Sequence, residues 1–207
     1  MLDSGAFSAY NKHMEIDIEA LIAEIRGGDW DEAVALDSIG NPAQSLKNSM
    51  HMKEAGVNVV PVFHYGEDWD MLAEYQRHFK KVGLSCRFGE PLDLSYKWVG
   101  QCFTRGWPHL YHSFGWTSER VIMEYPWHSV DSSTWTVAPR KFGNWSEFGK
   151  MSVRRFYDQR DEIEYAWRLE RAADRRWSKV YATAEWQAMI RAYDTQTPSG
   201  AEKAVVA

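Results

Sequence analysis

Cysteine is scarce: two residues in 207, Cys86 and Cys102, with no C-x-x-C pair. That argues against a structural zinc site and fits a reducing compartment. No apolar run approaches the roughly 20 residues of a membrane-spanning helix. The N-terminus also lacks a basic-then-apolar leader pattern, so the expected location is cytoplasmic. Neither nucleotide fingerprint is present. "DSGAFS" departs from the G-x-G-x-x-G of a dinucleotide fold, and no Walker A motif occurs anywhere. Net positive charge is missing too. The formal balance is −5, which gives no global electrostatic case for nucleic-acid binding.

What is present is a chain of 44% apolar and 26% charged residues, globular in composition and long enough to bury a core. Eleven tryptophans supply core and stacking surfaces. Charge is unevenly placed. Residues 1–139 hold 11 Lys/Arg against 19 Asp/Glu, a balance of −8, while residues 140–179 hold 11 against 7, a balance of +4. The basic block includes Arg140, Lys141, Lys150, Arg154, Arg155, Arg160, Arg175 and Arg176, interleaved with aromatics such as Trp145, Phe156 and Trp177. Such a block suits a phosphate backbone. A solvated helix laced with i,i+4 ion pairs accounts for it equally.

Apolar runs alternate with amphipathic segments. "MLDSGAF", "AVALDS", "VNVVPVFHYG", "GLSCRFG", "LYHSFG" and "HSVDSSTW" read as strands. Between them, "IDIEALIAEIRGG", "NPAQSLKNSMHMKEAG", "EDWDMLAEYQRHFKKVG", "LDLSYKWVGQCFTRG" and "TSERVIMEYP" read as helices. Pro42 opens the second helix and Gly56 follows its end. Asp68 or Asp70 is placed to cap the third. Six strands with helical crossovers predict an α/β fold with a parallel sheet. Each strand ends in a polar group: Asp3-Ser4, Asp37, His64, Ser85-Cys86, His112-Ser113 and Asp131-Ser132. In a parallel barrel these ends converge on one mouth, which favours a TIM-barrel-like arrangement. The expected organisation is a partial (β/α) barrel over residues 1–143, a basic helical extension over 144–194 and a disordered tail over 195–207.

Three carboxylates and a histidine at strand ends suit chemistry at an anomeric carbon. One carboxylate attacks as nucleophile and stabilises an oxocarbenium-like transition state, and a second trades a proton. A third can accept hydrogen bonds from an amino-pyrimidinone edge. Each has a plainer alternative: Asp3 and Asp37 as helix caps, His64 as a satisfied core histidine.

Taken together, "LDSGAF", "ALDSIGNPAQSLKNSMHMKEAG", "PVFHYGED", "VGL" and "YPWHSVDSSTW", in that order and spacing, resemble the tRNA-guanine transglycosylase superfamily. The nearest likeness is to its phage branch, the DpdA-like 7-deazaguanine DNA transglycosylases. It covers residues 2 to about 143. The resemblance implies a TIM barrel that exchanges guanine in nucleic acid for a 7-deazaguanine base such as preQ0, without a cofactor. It implies Asp131 as the nucleophile that holds the sugar C1′. Asp3 becomes the acid/base, Ser4 a pocket residue and Asp37 the base reader. His64 stands where tRNA enzymes carry a pocket glutamine, and Gly83 and Leu84 form a backbone segment against the base. Arg140, Lys141, Arg154, Arg155, Arg175 and Arg176 are the expected nucleic-acid contacts.

Two departures shape this expectation. The tRNA enzymes carry a zinc site of three Cys and one His near their C-terminus, whereas both cysteines here precede residue 103. No metal is therefore expected, and DNA is favoured over tRNA. The family barrel also has two strands ahead of the "DSGAF" strand. Six strands instead of eight leave open edges: either the true start lies upstream, or the C-terminal helices or a partner chain cover them. A catalytically silent nucleobase-binding remnant of the barrel is the alternative from outside the enzymes.

Overall fold

The computed structural model describes residues 1–86, 92–115, 123–131 and 175–194. The chain divides into two compact units, one of residues 1–111 with 184–207 and one of residues 112–183. Their described residues form parallel strands and helices, the expected α/β class. The described strands form no closed barrel.

In the first unit, Leu2 makes a parallel bridge to Ala33, and β1 (Ala33–Val34) pairs parallel with β2 (Val59–Val60). A second pair joins β3 (Val62–His64) to β4 (Lys81–Ser85), with Val62 opposite Gly83 and His64 opposite Ser85. The run "VNVVPVFHYG" thus yields two short strands instead of one. Pro61 is the cause, because it has no N–H to offer the ladder. Its carbonyl still accepts from Gly83 N at 2.8 Å, so the chain stays extended through the break. β4 also starts earlier than the helical reading of "HFKKVG" implies: Lys81, Val82 and Gly83 are strand.

The expected strand "MLDSGAF" is reduced to the Leu2 bridge, because the chain turns at "DSG" into a helix, α1 (Ala6–Asn11). The other helices follow their sequence signals, and α2 (Ile18–Gly27) is capped by Asp17, whose carboxylate accepts from Glu19 N and Ala20 N. α3 (Pro42–Glu54) has Pro42 in its first turn, and Asn41 caps it by accepting from Gln44 N. α4 (Trp69–His78) has Asp68 at its N-cap position, but that side chain makes no capping hydrogen bond; Asp70 lies in the first turn, where it favours the helix dipole. α5 (Leu92–Gly106) and α6 (Ala184–Asp194) complete the unit.

The apolar faces of these elements meet in one core. Ile22 of α2, Met52 of α3, Leu72 and Tyr75 of α4, Val99 of α5, and Val60, Phe63 and Val82 of the strands are all at most 2% exposed. Phe63 stacks on Trp98 at 5.6 Å between centroids and meets Trp69 at 5.8 Å. Burying one such ring stabilises the fold by roughly 1.5–3 kcal/mol. At the N-terminal end of β4, Lys81 is buried and ion-paired with Glu32 at 2.5 Å. Desolvation lowers the Lys81 pKa, and the Glu32 carboxylate opposes that shift.

β5 (Leu110–Phe114) begins in the first unit and passes at His112 into the second. There it pairs parallel with β6 (Ser129–Asp131), His112 opposite Ser129 and Phe114 opposite Asp131. Trp127 is buried ahead of β6, and Tyr181 donates to its carbonyl at 3.5 Å. Most of the expected helix "TSERVIMEYP", the remainder of the strand after Asp131, most of the basic extension and the tail lie outside the described residues.

Candidate functional site

Parallel strands place their C-terminal ends on one side, and there the first unit gathers a polar cluster. Asp37 lies three residues beyond β1 and does not cap α3, since Asn41 does. Its Oδ1 instead accepts from Ser45 Oγ of α3 at 2.6 Å, and its Oδ2 lies 3.3 Å from His64 Nε2 at the end of β3. The other ring nitrogen, Nδ1, faces Glu67 Oε1 at 3.2 Å. His64 is therefore a bridge between two carboxylates. Burial acts to lower its pKa, but the hydrogen bond to Glu67 and the charges of Asp37 and Glu67 outweigh that, and the net shift is upward. His109 shows burial acting alone: with no carboxylate among its causes, its pKa is pushed down to about 4. Tyr75 of α4, fully buried near this cluster, has its hydroxyl kept neutral by burial and by the charges of Glu67 and Asp37.

The other expected residues of this unit are placed differently. Asp3 is exposed and its Oδ1 accepts from Gly5 N at 3.1 Å, a turn leading into α1. It does not cap α1, whose N-cap residue is Gly5 with no side-chain capping hydrogen bond. Ser4 is buried, with its hydroxyl 3.5 Å from Ala6 N. Gly83 already uses its N–H on Pro61, and Leu84 turns its side chain into the core. Cys86 at the end of β4 is a free thiol whose pKa burial raises to about 12, and burial also raises that of Cys102. Neither is a thiolate near neutrality.

The second unit carries its own cluster, built by the pairing of β5 with β6. Asp131 ends β6 with its side chain 56% exposed. Burial of its inner part opposes ionisation, but His112 and the N–H of Gly115 more than compensate, so its pKa is lowered. Gly115 N donates to Asp131 Oδ1 at 3.1 Å. That aim requires the turn after β5, where Gly115 has φ +66°, a conformation side chains with a Cβ resist. His112 Nε2 lies 3.6 Å from the same oxygen, at ion-pair range, and His112 Nδ1 is 2.8 Å from Ser129 Oγ. The ring is 2% exposed, wedged edge-on against Phe114 at 4.4 Å. Ser129 thus fixes one nitrogen and leaves the other facing the carboxylate.

Glu67, His112 and Ser129 were not among the expected site residues. Glu67 lies three residues beyond His64, a spacing that was available as a signal. Ser129 and His112 meet only through the strand register. Arg175 and Arg176 are exposed, with the Arg176 guanidinium 5.6 Å from the Trp177 ring centre, while Arg140, Lys141, Arg154 and Arg155 lie outside the described residues. Among the described residues no group of three or more His, Cys, Asp and Glu is arranged to hold a metal ion. No described helix is long and apolar enough to cross a membrane. Comparison with protein-family models, curated proteins and solved structures finds no match to this chain.

Proposed function

We propose that the chain is a base-exchanging transglycosylase that replaces guanine in DNA with a 7-deazaguanine derivative such as preQ0. The observation that carries this reading is Asp131: a half-exposed carboxylate on β6, a strand paired parallel with β5, favoured in its ionised form by a backbone N–H and a buried histidine. An ionised, accessible carboxylate is what attack on C1′ requires. In the proposed reaction an Asp131 oxygen bonds to C1′ as the C1′–N9 bond breaks. The electron pair leaves with guanine N9, which takes a proton from a neutral general acid, the role the resemblance gives to Asp3. The incoming base returns its N9 proton to that group and displaces Asp131. The chemistry conserves one glycosidic bond and calls for no redox group.

Asp37 supports the base-reading half of the proposal. Ser45 and His64 hold its carboxylate from two sides and fix its orientation; in the proposed reading it accepts from the N1–H and 2-amino edge of guanine. A nucleobase-binding role without exchange is the second reading. It is favoured by the engagement of Asp3 with Gly5 N, which gives that carboxylate a purely local use. The test is to incubate the full chain with guanine-containing DNA and, in parallel, tRNA, then denature and look for protein cross-linked to nucleic acid. Exchange on DNA predicts a denaturant-resistant adduct with DNA. An adduct with tRNA alone moves the substrate to RNA. Reversible binding of guanine without any adduct supports the second reading.

A further inference from the structure

Ionised carboxylates only accept hydrogen bonds, so an imidazole that faces one with each nitrogen is satisfied when both nitrogens carry protons. His64 is such a ring, at 3.2 Å from Glu67 and 3.3 Å from Asp37. The two acids reach it from different places, Asp37 from beyond β1 and Glu67 from the turn between β3 and α4. Their side chains are 8% and 11% exposed, against 29% for the ring. Glu67 Oε2 is buried with no hydrogen-bond partner among the described residues, and Asp37 Oδ2 meets the ring at ion-pair range only. The arrangement therefore depends on the ring: remove its charge and two buried carboxylates lose the cation between them.

We propose that Glu67 is a positioning residue: it fixes His64 across Asp37, and the Glu67–His64–Asp37 relay sets the pH range over which Asp37 takes the amino-pyrimidinone edge of a purine. The base-reading part rests on the function proposed above; the relay itself does not. With the ring pinned at Nδ1, its Nε2 holds Asp37 Oδ2 while Ser45 holds Oδ1. The carboxylate is then fixed in orientation, with Oδ2 buried against the ring. When His64 loses a proton, one nitrogen turns acceptor and faces a carboxylate, and the relay opens. The charged and titratable groups around the ring are Asp37, Glu67 and, from α4, Tyr75, whose ionisation burial and both carboxylates oppose.

The experiment follows the ring protons of His64 by NMR through a pH titration of the full chain, in the parent, Glu67→Gln and Glu67→Asp forms. Equilibrium dialysis with labelled guanine is measured on the same samples. Glutamine keeps an oxygen for Nδ1 but removes the charge. The His64 midpoint should fall by about one unit in Glu67→Gln. Guanine binding should weaken about tenfold at a pH between the two midpoints, and Glu67→Asp should restore part of both. A midpoint that Glu67→Gln leaves in place overturns the positioning role, whether or not guanine binds. A shifted midpoint in a chain that binds no guanine at any pH upholds the relay and overturns its base-reading use.

Discussion

Lys81 and His64 are both charges that the fold has partly removed from water, and each is retained by carboxylate partners. For Lys81 the partner is Glu32. Replacing Lys81 with Met removes the buried cation that Glu32 meets at 2.5 Å, and urea unfolding should show a loss of roughly 3–5 kcal/mol. The double replacement Lys81→Met with Glu32→Leu should recover much of that loss; a single variant as stable as the parent would mean the pair is unimportant. For His64 the folded pKa is raised. Its stabilising contribution is therefore complete below the unfolded value of 6.5 and is lost as pH rises through the folded value. His64→Gln should cost more stability around pH 6 than around pH 9 when both are measured by denaturant titration. Asp37, His64 and Asp131 could be picked out from sequence because acids and imidazoles at the ends of apolar runs stand out by type. Glu67 was within reach, three residues beyond His64, but Ser129 and the Lys81–Glu32 pair were not, because what makes them matter is a partner supplied by tertiary register.

At the scale of elements, the helices were legible and the strand limits less so. Periodicity and caps act locally, so α3 begins at Pro42 and α5 covers the run from Leu92 to Gly106 as the pattern implies. Strands depend on neighbours. Pro61 splits one expected strand in two, and β4 takes Lys81 and Val82 from what looked like a helix end because they pair and bury in the sheet. The end of α5 gives a direct test of how tightly helix and strand pack. A Cβ on Gly106 would lie 1.9 Å from the Tyr111 hydroxyl and 2.0 Å from Gln76 Nε2. Those two atoms are themselves hydrogen-bonded at 2.6 Å, and Tyr111 donates onward to the Cys102 carbonyl at 3.0 Å. Gln76 can swing aside, but Tyr111 is fully buried. Gly106→Ala should therefore destabilise the chain by about 1–3 kcal/mol, from overpacking and a broken buried network. An unchanged melting temperature would show that α5 and β5 can separate without cost.

On the scale of the whole molecule, acidic residues dominate the part that carries the strands and basic residues dominate 140–179. If that block meets a phosphate backbone, neutralising Arg154, Arg155, Arg175 and Arg176 together should weaken DNA binding. It should also flatten the dependence of log affinity on log salt by roughly 0.9 per lost contact. A slope that stays the same would assign the block to a solvated helix. The α/β class and the parallel pairing were legible from alternation alone. Closure was not, since it depends on strands meeting far along the chain. The most direct measurement of the central claim is the denaturant-resistant adduct between the chain and guanine-containing DNA, compared in the parent, Asp131→Asn and Asp3→Asn proteins, with circular dichroism confirming that each is folded. The account predicts an adduct in the parent, none in Asp131→Asn, and a slower but detectable one in Asp3→Asn. An adduct that persists in folded Asp131→Asn protein would contradict it.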